Sequence, residues 1–151
     1  MTSPRVRVAA YVIRRQASSE LLVFEHAQCP EAGTQVPAGG VGSGEALEDA
    51  VLREVAEETG LRTATVLRRT AVEDKPHPKT GEPRRTSFFH VQAPADTPDA
   101  WEHVVHGAGD DAGLVFTCRF LPLPLKRPLA DDQDAWLGRV DPRWTTVTRE
   151  P

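Results

Sequence analysis

The chain has 151 residues and a formal net charge of −4, with 39% hydrophobic and 26% charged residues. This composition is ordinary for a globular protein with one core, and the acidic balance argues against a general nucleic-acid-binding surface. No apolar run reaches the length of a membrane span, and Arg5 and Arg7 interrupt the apolar N-terminal segment, which argues against a secretory signal. The two cysteines, Cys29 and Cys118, are far apart and suit a reducing compartment. We therefore expect a single domain over residues 1–151, in the cytoplasm and without a membrane partner.

Runs of β-branched and apolar residues predict strands on both sides of one central helix. The predicted strands are residues 6–14, 21–25, 64–71, 86–92, 101–106 and 114–121. A short extended segment at 35–38 precedes the helix, and a polar loop follows it at 73–85. The last two strands flank a glycine-rich hairpin tip at 107–113, and Asp131 is expected to cap a final helix at 132–140. Strands and helices in this order predict a mixed sheet covered on two faces.

Residues 39–61 read as a glycine-rich turn, one amphipathic helix and a glycine stop. Ser43 is the expected N-cap, and Gly60 is expected to end the helix in the left-handed conformation. Glu54, Glu57 and Glu58 stand at i, i+3 and i+4, so their carboxylates converge and repel by roughly 0.2–0.5 kcal/mol per pair. A hard divalent cation would neutralise such a cluster, since Mg²⁺ takes oxygen ligands and pairs with substrate phosphates.

This segment resembles the Nudix hydrolase signature, in which glycine, glutamate, Arg-Glu, Glu-Glu and a final glycine recur at set intervals. The matching residues are Gly39, Glu45, Arg53, Glu54, Val55, Glu57, Glu58, Gly60 and Leu61, with no departure from the pattern. From average residue usage, a chance match at a given start is on the order of 10⁻⁹. The resemblance implies an α/β (α+β) protein with the Nudix fold, a mixed β-sheet sandwiched between helices.

The resemblance also implies the chemistry, which is metal-dependent hydrolysis of a nucleoside diphosphate linked to another group. Mg²⁺ or Mn²⁺ would be held by Glu54, Glu57, Glu58 and the backbone carbonyl of Ala38. Glu57 is the first choice for orienting the attacking water, and Arg53 is expected to hold Glu45 or a metal-binding glutamate in place. The roles expected for Gly39, Glu45 and Gly60 are structural.

Relatives often recruit a further acid from a loop beyond this motif. The candidates are Glu73, Glu102, Asp110 and Asp111, of which Glu102 is preferred because it lies beside Trp101 and His103 at a strand start. His103 and His106 could contact phosphate, and an aromatic side chain could stack on a base. The basic residues of the polar loop could meet a second phosphate; they are Lys75, Arg84 and Arg85.

The resemblance implies a small nucleotide substrate, and the sequence leaves its exact class open. Pro76 and Pro78 follow the motif at roughly the interval at which ADP-ribose-hydrolysing relatives carry a proline, which favours ADP-ribose or a nucleotide sugar. Dinucleoside polyphosphates and deoxynucleoside triphosphates, oxidised or not, are the alternative substrates. A non-catalytic nucleotide-sensing domain and an enzyme acting on RNA 5′ ends are further alternatives. Family members often dimerise, so a homodimer is also considered.

Overall fold

A mixed sheet forms the centre of the structure, a computed structural model that describes residues 3–107, 109 and 111–147. Within that part of the chain the sheet has seven strands. They are β1 (Arg5–Arg15), β2 (Ser19–His26), β3 (Ala38–Gly40), β4 (Thr65–Asp74), β5 (Arg84–Gln92), β6 (Ala100–Val104) and β7 (Val115–Pro122). The helices are α1 (Leu47–Thr59) and the short α2 (Leu137–Val140), and 3₁₀ turns occur at Pro30–Ala32, Ala130–Trp136 and Pro142–Trp144.

The strands lie in the order β4-β5-β1-β2-β7-β6, and β3 pairs with β1 beside this path. β1 and β5 run parallel, whereas the other pairs are antiparallel. β3 is paired with the first half of β1, with Arg7 opposite Gly40, and β2 is paired with its last residues. The predicted strands are confirmed, although the extended segment expected at 35–38 forms its strand slightly later, at Ala38–Gly40.

Alternation along β1 divides the core into two layers, one on each face of the sheet. Val8, Ala10 and Val12 pack in the cluster that includes Val51 and Val55 of α1. Their neighbours Ala9, Tyr11 and Ile13 pack on the other face, against Leu137 and Trp144. Since side chains of a strand point alternately to opposite faces, one apolar strand serves both layers. The expectation of a sheet covered on both faces is therefore confirmed.

The predicted start of the motif helix is wrong. The helix of the motif begins at Leu47, with Ala46 rather than Ser43 at the N-cap position. The Glu45 carboxylate instead accepts a hydrogen bond from the Gly42 N–H at 2.9 Å, which holds the preceding residues in a turn. The stop at Gly60 is confirmed, because Gly60 has φ +78° and its N–H donates to the Ala56 carbonyl at 2.9 Å.

The C-terminal helix is also shorter than expected. Residues 130–136 form 3₁₀ turns and only Leu137–Val140 is α-helical. Asp131 does not cap this helix, because it has φ +54° and its carboxylate binds Arg84 and Lys75. In the described part of the chain, no helix has the length and apolar character needed to span a membrane.

Candidate active site

A cavity of about 780 Å³ opens where β3, the second half of α1 and the start of β1 meet. The loop between β4 and β5 and the loop between β6 and β7 complete its wall. The volume lies in the range of pockets that bind small molecules and cofactors. All three glutamates that sequence spacing predicts to converge line this cavity, and Ala38 lines it with them.

The three glutamates reach the cavity because α1 packs its apolar stripe on the sheet and turns a second face toward β3. Glu54 and Glu58 are buried, with 8% and 7% of their surface exposed, and Glu57 is half-buried. Glu58 Oε1 accepts a hydrogen bond from the Ala38 N–H at 2.8 Å, which ties the helix to β3. The side chain therefore lies beside the residue whose carbonyl the resemblance assigns to a metal.

Arg53 organises the acidic side chains next to it. Its Nε and Nη2 donate to the two oxygens of Glu45 at 2.8 and 2.9 Å, and its Nη1 donates to Glu54 and Glu57 at 2.9 and 3.1 Å. Nη2 also reaches the Gly40 carbonyl at 2.9 Å. Hydrogen bonds from Arg53 and from the Gly42 N–H lower the pKa of Glu45 to about 2. The planar guanidinium thus links the turn before α1, β3 and two carboxylates.

The acidic end of the cavity carries negative charge that its protein surroundings do not fully balance. Burial, the neighbouring Glu54 and the charge of Asp111 raise the pKa of Glu58 well above its ordinary value, although the Ala38 hydrogen bond opposes them. Burial also raises the pKa of Glu54, against the lowering effect of Arg53. Carboxylates with raised pKa values in a cleft are typical of functional sites.

The donor atoms at the acidic end of the cavity fit a hard divalent cation. Among residues 3–107, 109 and 111–147, no three acidic, histidine or cysteine side chains form a ready metal site. Glu54 and Glu57 turn toward Arg53, and Glu58 turns toward Ala38. All the candidate ligands are oxygen atoms, the type that Mg²⁺ and Mn²⁺ prefer, and the buried like charges favour a cation between them.

Glycine is required where backbone closely approaches these carboxylates. A Cβ at Gly39 would overlap the carboxylate of Glu54. At Gly107, which has φ +104°, a Cβ would come within 2.7 Å of the Glu57 carboxylate. The first glycine lies in the motif, whereas the second lies in the loop after β6 and only the fold brings it to the glutamates.

The loop between β6 and β7 supplies Asp111 to the cavity, whereas the sequence pattern favours Glu102. The His106 N–H donates to the Glu57 carbonyl at 3.1 Å, which anchors the loop on α1 and brings Asp111 into the cavity wall. Glu102 is exposed and does not line the cavity. Its neighbours Trp101 and His103 contact carbonyls of α1, so Glu102 points to the opposite face of β6. Asp110 lies outside the described residues.

The basic side chains of the cavity differ in part from those expected. Arg84 lines it, while Arg85 is half-exposed and pairs with Asp74 at 2.8 Å. Lys75 lies outside the cavity wall and binds Asp131 at 3.0 Å. Arg5 and Arg7 line the cavity instead, and sequence reasoning missed them. Their spacing of two residues in a strand, which places both on one face, is the signal that could have identified them.

The other candidate side chains lie elsewhere. Glu73 accepts a hydrogen bond from Trp136 Nε1 at 2.9 Å, away from the cavity wall. Phe88 and Phe89 are buried in the two core layers. Trp101 Nε1 donates to the Thr59 carbonyl at 2.7 Å at the end of α1. His103 contacts the Glu57 carbonyl, and His106 is the histidine of this pair that lines the cavity.

Comparison with known families shows the family to which this chain belongs. The family model described as NUDIX domain matches residues 4–136. The chain belongs to the Nudix hydrolase family. Its α+β fold is the Nudix fold, and membership of this family supports activity as a pyrophosphohydrolase. A search of curated proteins found no match.

Solved structures of Nudix proteins are similar over most of the chain. The NUDIX domain of Shewanella oneidensis NrtR, complexed with ADP ribose, is 18% identical, with a TM-score of 0.68 over 96% of this chain and 91% of that one. A MutT NUDIX hydrolase from Burkholderia pseudomallei is 25% identical, with a TM-score of 0.62 over 92% and 99%. A UDP-X diphosphatase is 19% identical, with a TM-score of 0.56 over 81% of this chain and 55% of that one. The chain thus spans about half the length of the last protein. At these identities the likeness to the first and third structures shows the fold alone.

Proposed function

We propose that this Nudix enzyme hydrolyses the diphosphate bond of a nucleoside diphosphate linked to another group, of the ADP-ribose or nucleotide-sugar type. One observation carries the proposal: the glutamates of the motif and a set of arginines line opposite sides of one cavity. A diphosphate needs both, because its anionic oxygens repel an attacking hydroxide until cationic groups neutralise them. The ADP ribose in the NrtR complex and the name of the UDP-X diphosphatase support this substrate class, while another similar structure, a C. elegans Ap4A hydrolase, supports dinucleoside polyphosphates as the alternative.

We assign the metal to Glu54, Glu57, Glu58 and the carbonyl of Ala38. These residues would hold Mg²⁺ or Mn²⁺, which supplies charge neutralisation and an acidified water when bound. Arg53 does not need to touch the substrate. Its contacts with Glu45, Glu54 and Glu57 keep the carboxylates from separating, which is a positioning role.

Glu57 remains the first candidate for orienting the attacking water, because it is the least buried of the three motif glutamates and lines the cavity. For a further acid, the geometry favours Asp111 over Glu102. Asp111 lines the cavity and its charge acts on Glu58, whereas Glu102 faces away from both. An acid that assists the reaction must come within hydrogen-bonding reach of the substrate or its water.

The test is a substrate panel assayed with Mg²⁺ and with Mn²⁺, with the products identified by mass. The panel contains ADP-ribose, UDP-sugars, dinucleoside polyphosphates, deoxynucleoside triphosphates, oxidised deoxynucleoside triphosphates and RNA with a 5′ triphosphate. The proposal expects the highest kcat/KM for ADP-ribose or a nucleotide sugar, with a nucleoside monophosphate among the products and no turnover in EDTA. A higher kcat/KM for a nucleoside triphosphate or for RNA would contradict the substrate class.

An inactive variant shows whether the measured turnover comes from this protein or from a contaminating hydrolase. Glu58→Gln keeps the size of the side chain and can still accept from the Ala38 N–H, so it is the matched inactive protein. Turnover of the same substrate by this variant at the wild-type rate would overturn the metal assignment. A cytoplasmic location and a homodimeric state stay predictions from the sequence.

A further inference from the structure

Three arginines share one face of the sheet at the edge of the cavity. β1 and β5 run parallel, and their register places Arg5 opposite Arg84 and Arg7 opposite Thr86. Arg5 and Arg7 are two residues apart in one strand, so they point the same way. Arg85 points to the other face and pairs there with Asp74. The fold therefore selects Arg5, Arg7 and Arg84 for the cavity and removes Arg85 from it.

The charge of this arginine group is only partly balanced by the protein. Arg84 is buried and donates to Asp131 Oδ2 at 2.8 Å. Within the described residues, no carboxylate lies at ion-pairing distance from Arg5 or Arg7. Burial lowers the pKa of Arg7, and the charges of Arg84 and Arg5 lower it further, against a smaller opposing effect of Glu58 and Glu54. Like charges held together in a half-buried position favour an anionic ligand.

β3 separates these arginines from the glutamates by the thickness of one strand. A Cβ at Gly39 would overlap Glu54, and a Cβ at Gly40 would come within 3.0 Å of Arg5 Nη2. Because successive residues of a strand face opposite sides, the two glycines contact groups of opposite charge on the two sides of β3. The absence of both side chains lets the carboxylates and the guanidinium groups reach one continuous cavity.

His77 adds a hydrogen-bond donor beside the arginines. Its Nδ1 accepts hydrogen bonds from the backbone N–H groups of Lys79 and Thr80 at 3.0 and 3.2 Å. When Nδ1 is an acceptor, a neutral imidazole carries its proton on Nε2, which can then only donate. The ring lines the same cavity, and the turn that follows it determines this tautomer.

We propose that Arg5, Arg7 and Arg84 form an anion subsite that binds the phosphate group of the substrate lying farther from the carboxylates. The diphosphate then lies across β3, with one phosphate at the glutamate end and the other at the guanidinium groups. Arg5 and Arg7 suit this position because the planar fork of an arginine can donate two parallel hydrogen bonds to a phosphate. Arg84 already donates through Nε to the Lys75 carbonyl and through Nη2 to Asp131 and the Pro76 carbonyl, so it contributes to the subsite mainly through its charge. The subsite rests on the proposed hydrolysis of a nucleoside diphosphate derivative and names the residues that orient it.

The direct test is binding of inorganic diphosphate in EDTA, measured by titration calorimetry. Without metal the carboxylates repel the ligand, so the remaining affinity reports on the arginines. Arg7→Ala is expected to weaken binding by about 10- to 100-fold, the usual effect of losing a hydrogen bond to a charged group. Arg5→Ala, at an exposed position where folding is not at risk, should weaken it in the same direction. Arg85→Ala is the matched control and should bind like the wild type.

Unchanged diphosphate binding by both Arg7→Ala and Arg5→Ala would overturn the subsite. Equal weakening by Arg85→Ala would also overturn it, because the effect would then follow net charge rather than position. Thermal melting of each variant confirms that the folded proteins are compared.

Steady-state kinetics provide a second readout that a structural role would not produce. In Arg7→Ala the loss should appear mainly in KM, and Arg7→Lys should recover part of it because the charge is restored without the fork. A fall in kcat alone, with KM unchanged, would contradict the subsite. Failure of the proposed function would look different: the wild type would bind diphosphate through these arginines and yet hydrolyse no nucleoside diphosphate derivative.

Discussion

Arg53 holds Glu45 through two nearly parallel hydrogen bonds, from Nε to Oε2 at 2.8 Å and from Nη2 to Oε1 at 2.9 Å. The two residues lie on either side of the start of α1, and the same guanidinium reaches Glu54, Glu57 and the Gly40 carbonyl. Such a fork cannot be replaced by the single ammonium group of lysine. The direction of the hydrogen bonds from Arg53, and not only its positive charge, therefore fixes the position of the carboxylates.

The clamp that Arg53 forms with Glu45, Glu54 and Glu57 is predicted to be needed for activity but not for folding. In Arg53→Lys the charge remains but the simultaneous contacts are lost, so kcat should fall by about 10- to 100-fold, as is usual for residues that orient metal ligands. Kinetics at saturating Mg²⁺ measure the effect, and Arg85→Lys at the exposed surface is the control. An Arg53→Lys enzyme with wild-type kcat would show that the clamp has no role in positioning.

Removing the charge of Glu58 should reduce activity without reducing the stability of the metal-free protein. Glu58→Gln is predicted to reduce turnover by more than the roughly 10- to 100-fold cost of losing an outer-shell partner. In EDTA its melting temperature should equal or exceed that of the wild type, because the raised pKa of Glu58 means that its ionised form is disfavoured in the folded state. Added Mg²⁺ should stabilise the wild type more than the variant. A large loss of stability in EDTA would show that Glu58 is mainly a structural residue.

The pH dependence of stability should change when metal is added. Glu58 and Glu54 have pKa values above the ordinary 4.5, so the folded protein binds more protons than the unfolded chain above that pH. Without metal, the contribution of these two carboxylates to stability should therefore fall as the pH rises from 4.5 through the raised pKa values. Mg²⁺ binding requires ionised carboxylates, so its apparent affinity should weaken as the pH falls through the same window. Melting curves of the wild type and of Glu58→Gln in EDTA and in Mg²⁺ across this range test both statements. A metal-free wild type that does not lose stability relative to Glu58→Gln as the pH rises would contradict them.

Gly39 is predicted to tolerate no side chain. Its φ is not in the left-handed region, so alanine does not strain the backbone, but the added Cβ would overlap the Glu54 carboxylate and displace it. Gly39→Ala should thus lose most activity with a moderate change in melting temperature. Gly42→Ala is the matched control, since its Cβ would meet Glu45 Oε1 at an ordinary 3.4 Å. Equal activity of the two variants would argue against close packing of Glu54 on β3.

Asp131 should stabilise the protein by holding Arg84 and Lys75. Asparagine accepts the left-handed backbone of residue 131 more readily than alanine does, so Asp131→Asn removes the charge with little added strain. We expect a loss of about 1–3 kcal/mol in the free energy of unfolding, because buried Arg84 would lose its charged partner. The lowered pKa of Asp131 means that this contribution is present above the ordinary pKa of 3.8 and is lost as the pH falls further. Urea unfolding at neutral and acidic pH measures the free energy of unfolding of the wild type and of Asp131→Asn. A difference between the two proteins that persists at the lowest pH would contradict a stabilising role for the Asp131 charge.

Much of the fold and of the acidic half of the site was predictable from local pattern. The spacing of Glu54, Glu57 and Glu58 places them on one helical face whatever the rest of the chain does, and Gly60 stops that helix for a local reason. Four of the strands, β1, β2, β5 and β7, were predictable as apolar runs because each is buried on at least one face. The start of the helix was predicted wrongly. Residues 42–45 form a turn in which Glu45 accepts from the Gly42 N–H and from Arg53, eight residues away, and the helix begins at Leu47 with no side-chain cap.

The basic half of the site depended on contacts between distant segments. Arg84 and Arg85 are equivalent in the sequence, and only the pairing of β5 with β1 determines which of them reaches the cavity. The same holds for Asp111 and Glu102, whose positions follow from the packing of the loop after β6 on α1. The sequence by itself determined the helix, its three carboxylates and the family. Only the tertiary structure decided which arginines face them, because strand register sets the direction of every side chain in a strand and arises from non-local pairing.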